Sequence, residues 1–192
     1  MANFFPTDEA EGFYTQPVFS LANRARRLLW SLACLVLFRF SPPPLFGWRA
    51  WILRAFGARI GRNTFIYPSV KIWAPWLLQV DDLATLGPGV EVYNPGGARL
   101  EHHAVVSQGA FLCGGTHDFN DPQFPMTWQP VRVGAFAWIA ARAVVLPGVI
   151  VGAGAVLGAA AVASRPLETW KVYAGNPARV VGERTRRDPG AA

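Results

Sequence analysis

From Ile60 onward the chain repeats every six residues. Ile60, Ile66, Ile72 and Leu78 are evenly spaced; a two-residue slip precedes Leu86 and Val92, and a second precedes Leu100, Val106 and Leu112. The series resumes at Val133 and continues through Ile139, Val145, Val151 and Leu157. Four positions after each aliphatic residue the side chain is usually small, as at Thr64, Ala104, Ala110, Thr116, Ala137, Ala143, Ala155 and Ala161; Trp76 and Asp82 are exceptions. A period of six suits neither a helix nor an alternating strand. It suits short strands joined by tight corners, aliphatic residue inward and small residue in the corner, which is the pattern of a parallel β-helix. With three hexads to a triangular turn, fourteen predict between four and five turns. Parallel crossovers are normally right-handed, and the spacing alone offers no reason for the other hand. Both ends of such a prism expose strand edges that need cover.

The segments around the repeats are the obvious covers. We expect a loosely structured arm over 1–20, a helical cap over 21–57, the β-helix over 58–163 with an inserted loop at 118–132, and a tail over 164–192. In the cap, "SPPP" (Ser41 to Pro44) separates two helices, because consecutive prolines stop a helix. Trp48, Trp51, Ile52, Ala55 and Phe56 follow the spacing of one apolar face of the second helix, with Arg49 and Arg54 elsewhere on the wheel. Gly57 is placed to end it.

Hydrophobic content of 52% against 16% charged residues excludes a disordered chain. Two distant cysteines, Cys34 and Cys113, form no disulfide framework and point to a reducing, cytoplasmic setting. The net charge of +6 is uneven. No acidic residue lies between Glu11 and Asp81, a stretch holding eight arginines (24, 26, 27, 39, 49, 54, 59, 62) and Lys71. These arginines either solvate the outer faces of the two helices or attract anionic head groups or phosphates. No nucleic-acid-binding module is visible. The apolar run Leu28 to Phe38 falls short of the ~20 residues that span a bilayer and reads as a helix buried or lying at an interface. Peripheral contact with the inner face of a membrane through residues 21–57 is the corresponding expectation.

The repeat stops in "CGGTHDFNDPQFPM", Cys113 to Met126. His117 closes the last hexad before the stop, which would put it at an outer corner of the prism. An imidazole with an ordinary pKa of about 6.5 can act as a general base near neutral pH. A surface histidine at a turn is the plain alternative.

"IGRNTF", "VVSQGAFLC", "GTHDF", "VGAFAWIAARAVVLPGVIVGAGAVLGA" and "AGNPARV", in that order, resemble the hexapeptide-repeat acyltransferases, and among them the colanic acid biosynthesis acetyltransferases. The resemblance extends over nearly the whole chain, including "RRLLWSLACLVLF", "GWRAWILRAFGARIG" and "YPSVKIWAPW". It implies a mainly β, left-handed parallel β-helix, reversing the hand expected above. It further implies a homotrimer that holds acetyl-CoA in grooves between neighbouring prisms, and an O-acetyltransferase acting on a sugar or lipid-linked oligosaccharide in exopolysaccharide biosynthesis.

The resemblance assigns the catalytic base to His117 and an acceptor contact to Asn94, which could otherwise be a turn residue. Asp118 could orient His117 or simply cap the loop. For acetyl-CoA the resemblance implies Trp138 beside the pantetheine, backbone contacts at Ala141 and Ala159, and contacts from Ser164, Arg165 and Arg179, the arginine fork suiting phosphate. The "RPLETW" that follows Ser164 departs from the family's usual acidic, double-proline pattern. No metal is expected: His102 and His103, adjacent on a strand, should point to opposite faces. Cys113 is a possible nucleophile, but nothing marks its thiolate as stabilised, and packing is the plain role for a free cysteine. A non-catalytic β-helix scaffold and a zinc hydratase on the same architecture are the competing readings.

Overall fold

The structure, a computed structural model, describes residues 19–185; all but the last two residues of the expected arm, and residues 186–192, lie outside the described residues. The hexads wind into a triangular left-handed parallel β-helix. Its first turn is β1 (Arg59–Ile60), β2 (Phe65–Ile66) and β3 (Lys71–Ile72); the second is β4 (Leu78–Val80), β5 (Thr85–Leu86) and β6 (Glu91–Tyr93). The third is β7 (Ala98–Leu100), β8 (Val105–Val106) and β9 (Phe111–Cys113), after which β10 (Gly115–His117) and β11 (Met126–Trp128) form an antiparallel hairpin. The fourth turn is β12 (Val131–Val133), β13 (Trp138–Ile139) and β14 (Val144–Val145); the fifth is β15 (Ile150–Val151), β16 (Val156–Leu157) and β17 (Val162–Ala163). Face A stacks β1, β4, β7, β12 and β15; face B begins with β2, β5, β8, β13 and β16; face C stacks β3, β6, β9, β14 and β17.

All fourteen aliphatic positions are buried, none more than 8% exposed. One of them is misassigned by spacing. The register pairs Ile60 with Val80 and Val80 with Leu100, so Val80, and not Leu78, holds the inward position. Leu78 aligns with Ala98 and Val131, two residues ahead of the inward column. The first slip therefore falls before Leu78, between Ile72 and Val80. Ala84, two residues before Leu86, then takes the small corner place that Asp82 failed to fill. Ala163, buried and paired with Val145 on face C, is the fifteenth inward residue and completes five turns rather than four to five. The Val151–Leu167 bridge and β18 (Lys171–Ala174), which pairs with β16, begin a sixth. The final strand β19 (Arg179–Glu183) folds back on β18, so the described tail is a hairpin closing face B.

With Val80 in register, every irregularity falls on one edge of the prism, where face C passes to face A. That edge carries the extra residues after Ile72, after Val92 and, as the hairpin, after Leu112. A tight corner has no room for added chain inside the prism, so each insertion bulges outward along this edge.

The lower end is closed by side chains. In each turn the strand N–H groups donate upward, as Gly61 does to Val80 and Tyr67 to Leu86, which leaves the first turn's carbonyls without strands below them. One helical donor meets one carbonyl on each face. Arg54 Nε donates to Ile60 O at 2.9 Å, Arg49 Nε to Ile66 O at 2.5 Å, and Trp30 Nε1 to Ile72 O at 2.7 Å. An open sheet edge is thereby satisfied without a further strand.

Trp30 belongs to α1 (Leu21–Ala33), which Ser20 caps by accepting from Asn23 N and which runs into a π-helical turn, Cys34–Phe38. Arg49 and Arg54 belong to α2 (Phe46–Ala55). The buried side of α2 is Arg49, Ala50, Ile52 and Leu53, whereas Trp48 and Trp51 stack on each other outside at 5.3 Å. The apolar face expected through Trp48 and Trp51 is thus not the packed one. The edge carbonyl of Ile66 draws Arg49 inward, where the guanidinium also donates to Ser41 Oγ and to the Pro42 and Pro43 carbonyls. Burial pulls the Arg49 pKa down from its ordinary value, and no carboxylate pairs with it among the described residues.

Candidate active site

His117 ends the first strand of the hairpin, paired with Met126, and does not sit on a corner of the coil. The chain leaves the prism at Gly114, whose N–H donates to Tyr93 O at 2.6 Å. A Cβ at Gly115 would sit 2.7 Å from Tyr93 Cε1, 3.1 Å from Pro95 Cγ and 3.2 Å from Met126 Cε, so glycine lets these side chains close on the backbone. The hairpin is thus seated directly on the turn below. The coil resumes at Val131, which pairs with Ala98 across the gap. Glu101 clamps this re-entry by binding Arg132 and accepting from Ala135 N at 3.0 Å. Burial by itself would raise the Glu101 carboxyl, but the Arg132 and Ala135 donors outweigh it and hold the pKa below the ordinary value.

His117 is solvent-exposed, and its Nδ1 lies 2.9 Å from the Phe124 carbonyl. A carbonyl only accepts, so in the neutral ring Nδ1 carries the proton and Nε2 keeps its lone pair. The ring stacks on Phe124 with centroids 4.4 Å apart and planes 9° from parallel. Phe124 is held by a turn in which its N–H donates to Asp121 O, at φ +47°. Asp118 does not reach His117; its Oδ1 accepts from Asn120 N and caps the loop, the second of the two roles expected.

Asn94 sits on the same edge, one turn below the hairpin, and is 1% exposed. Its Oδ1 accepts from Ala74 N at 3.1 Å and its Nδ2 donates to Ala74 O at 2.9 Å. Both ends of the amide hold the corner beneath, so the expected acceptor contact gives way to a structural one. The edge also carries a half-buried aromatic column. Trp73 and Tyr93 pack edge to face at 5.8 Å, Phe19 lies 5.0 Å from Trp73 and 5.9 Å from Trp128, and Arg27 covers Trp73 at 4.4 Å. Tyr93 OH approaches Met126 Sδ at 3.9 Å, and burial, ahead of Cys113 nearby, raises its pKa. The sequence offered a signal for this column: Trp73, Tyr93 and Cys113 are each twenty residues apart, one turn of the lower coil.

Trp138, Ala141 and Ala159 occupy a different part of the prism. Trp138 points outward from face B with its indole N–H on Ser107 Oγ at 2.8 Å. Ala141 and Ala159 follow two residues after the paired Ile139 and Leu157, stacked where face B turns into face C, and Ala160 N donates to Ala141 O. Ser164 and Arg165 are exposed after β17, at the next corner. Arg179 is exposed at the start of β19, after the turn with the cis Asn176–Pro177 bond. One chain therefore does not gather these residues around His117. A groove of about 630 Å³ also lies away from His117; it runs along face A past Gln79, Arg99, Arg132 and Ile150, beginning beside Gln129 at the hairpin root.

Burial raises the Cys113 pKa, outweighing the backbone hydrogen bond with Gly115 that lowers it; Sγ lies 3.2 Å from Gly115 O. His102 and His103 do not point apart: their Nδ1 atoms are 3.1 Å from each other, because His103 turns the corner at φ +59°. Among the described residues no group of three His, Cys, Asp or Glu side chains converges as a metal set.

No family model matches the chain. It is 38% identical over 180 residues to the "Putative colanic acid biosynthesis acetyltransferase WcaF" of Escherichia coli K12, which spans 94% of this chain and 99% of that protein. In structure it is similar to the hexapeptide-repeat acetyltransferase VCA0836 of Vibrio cholerae in complex with acetyl-coenzyme A, with a TM-score of 0.77 at 16% identity, covering 88% of this chain and 93% of that one. It also matches a galactoside acetyltransferase in complex with coenzyme A, with a TM-score of 0.79 at 19% identity over 95% and 92% of the two chains. With near-complete coverage of a relative at that identity, on the same fold, the chain belongs to the hexapeptide-repeat acyltransferases, among the colanic acid biosynthesis acetyltransferases.

Proposed function

We propose that this protein moves the acetyl group of acetyl-CoA to a hydroxyl of a sugar destined for an exopolysaccharide, with His117 as general base. The observation that carries this reading is the His117–Phe124 contact, which leaves Nε2 as the proton acceptor of an exposed imidazole. In the ternary complex Nε2 takes the hydroxyl proton as the oxygen bonds to the thioester carbonyl carbon. The tetrahedral adduct then expels the CoA sulfur, which recovers the proton from the imidazolium. Both bonds change on one enzyme without an acyl-cysteine, in keeping with the protonated Cys113.

The residues toward acetyl-CoA fit such a ligand. The stacked Ala141 and Ala159 let a pantetheine arm approach the backbone, the fixed Trp138 ring offers it a wall, and Arg165 and Arg179 are exposed cations for phosphates. Trp138, Ala141 and Ala159 lie away from the edge of the same prism that carries His117. A complete site therefore needs the His117 edge of one copy beside the Trp138 edge of another, which supports a homotrimer. The exposed Trp128, beside the half-buried Trp73 and Tyr93, supplies an aromatic face for a sugar ring. We assign the protein to the cytoplasm, where acetyl-CoA is available.

The test is release of free CoA from acetyl-CoA with a panel of glycan acceptors, alongside calorimetry of CoA binding and a measured mass in solution. Acceptor-dependent CoA release by a three-chain particle is the expected result. Absence of both release and CoA binding would overturn the reading.

A further inference from the structure

Helix α1 packs with its apolar side outward. Trp30, Cys34 and Phe38 turn toward the prism, while Leu28, Leu29, Leu32, Leu35 and Val36 are each more than half exposed. The run expected to be a buried helix or one at an interface is therefore not buried by this chain. Phe40 (75% exposed) and the Trp48–Trp51 stack extend the same cap surface. The only N–H of the Trp48 indole is already used on Leu37 O at 2.9 Å, so the ring can leave water without losing a partner. No described helix is long and apolar enough to cross a membrane.

Among the described residues, α1 and the turn after it carry arginines and no acid. Arg24 and Arg39 are exposed and Arg26 lies over Trp76; none pairs with a carboxylate among the described residues. A cleft of about 310 Å³ opens beside Leu35, between α1 and face C, with Arg27, Arg39 and Lys71 in its walls; Lys71 is paired with Glu91 at 3.3 Å, so the two arginines supply the cleft's net charge. An apolar helical face rimmed by cations and broadened by tryptophans is suited to the boundary between lipid head groups and acyl chains. A second copy of the same face is a poorer match, since it would oppose guanidinium to guanidinium in a stretch without any acid.

We propose that the leucine face of α1, with Phe40, Trp48 and Trp51, docks on the surface of an anionic bilayer, its arginines and the Arg27–Arg39 cleft receiving lipid phosphates. On its inner side the same helix places Arg27 over Trp73, which packs on Tyr93 at the foot of the His117 hairpin. Docking would hold that edge near the head groups. If the proposed acetyl transfer is right, the acceptor sugars that suit this arrangement are those carried on a lipid.

The experiment is sedimentation of the full chain with vesicles of phosphatidylcholine alone and of phosphatidylcholine with phosphatidylglycerol, at low and high salt. The protein is expected to pellet with the anionic vesicles at low salt and to be released by high salt. Leu28→Glu/Leu32→Glu and Arg24→Gln/Arg39→Gln should each weaken binding about tenfold or more, with unchanged thermal midpoints because all four positions are exposed. Quenching of tryptophan fluorescence by brominated lipid should fall in Trp48→Phe/Trp51→Phe. Wild-type protein remaining in solution with both vesicles at low salt would overturn the proposal, as would variants that pellet like wild type. So would a leucine variant that changes only the mass of the protein in solution, which would make a second copy the occupant. The assay contains no acetyl-CoA, so failure here leaves the acetyl-transfer reading standing, and loss of CoA release leaves this one standing.

Discussion

The His117 imidazole and the Phe124 ring lie face to face, 4.4 Å apart, while the backbone of the same phenylalanine accepts from Nδ1. One residue of the inserted segment thus sets both the plane and the tautomer of the candidate base. Replacing His117 with Ala should lower kcat/KM for acetyl transfer by about 10²–10⁴-fold, the usual worth of a general base. Steady-state CoA release measures it. A loss within about threefold, under 1 kcal/mol of barrier, removes His117 from that role.

Phe124→Ala keeps the carbonyl but removes the stacked ring, so the imidazole gains rotational freedom. We expect kcat to fall by about 3–10-fold while affinity for acetyl-CoA is unchanged, about 1 kcal/mol of lost positioning. Equal kcat in wild type and variant would show that the stack is incidental.

Cys113→Ser should retain acetyl transfer within about threefold, and alkylation by iodoacetamide near neutral pH should be slow. Burial raises the thiol pKa, so the nucleophilic thiolate is scarce. An acetylated Cys113 detected by mass spectrometry during turnover would contradict this.

Asn94→Leu preserves volume but strips the Ala74 N–H of its acceptor inside a corner where Ala74 is fully buried. A destabilisation of about 1–3 kcal/mol is expected in urea unfolding. Unchanged stability with a raised acceptor KM would restore the role that the family resemblance implied.

Glu101 ties the third turn to the re-entry after the hairpin. Its folded pKa is depressed, so its contribution is fully present above the ordinary carboxylate pKa of 4.5 and is lost as pH falls through the lower folded value. Wild-type stability should therefore drop on acidification below that range, and Glu101→Gln should flatten this part of the profile. Thermal midpoints across the acid range decide it. Partial exposure of Arg132 keeps the effect small.

Much of this molecule is legible along the chain. An aliphatic residue every sixth position has no other regular way to reach a common core, so the coil, its three faces and all but one of the fourteen expected inward positions follow from spacing. The break after Thr116 is as plain, and with it the placement of His117 outside the core. The family resemblance supplied the hand of the coil, which period six does not contain.

Other features depended on contacts between residues far apart in sequence. Leu78 and Val80 are both aliphatic and two apart, so their parity is ambiguous until strand register selects Val80. Arg49 reads as a surface cation, yet it is buried because the first turn has a carbonyl with no strand beneath it. Asn94 reads as an acceptor contact until Ala74, twenty residues earlier, is found occupying its amide. The outward leucines of α1 look like core because periodicity reports that a helix has an apolar side and is silent on which side meets the prism. Spacing determines what a segment can bury; which partner it meets is decided by turns that stack on residues about twenty positions away.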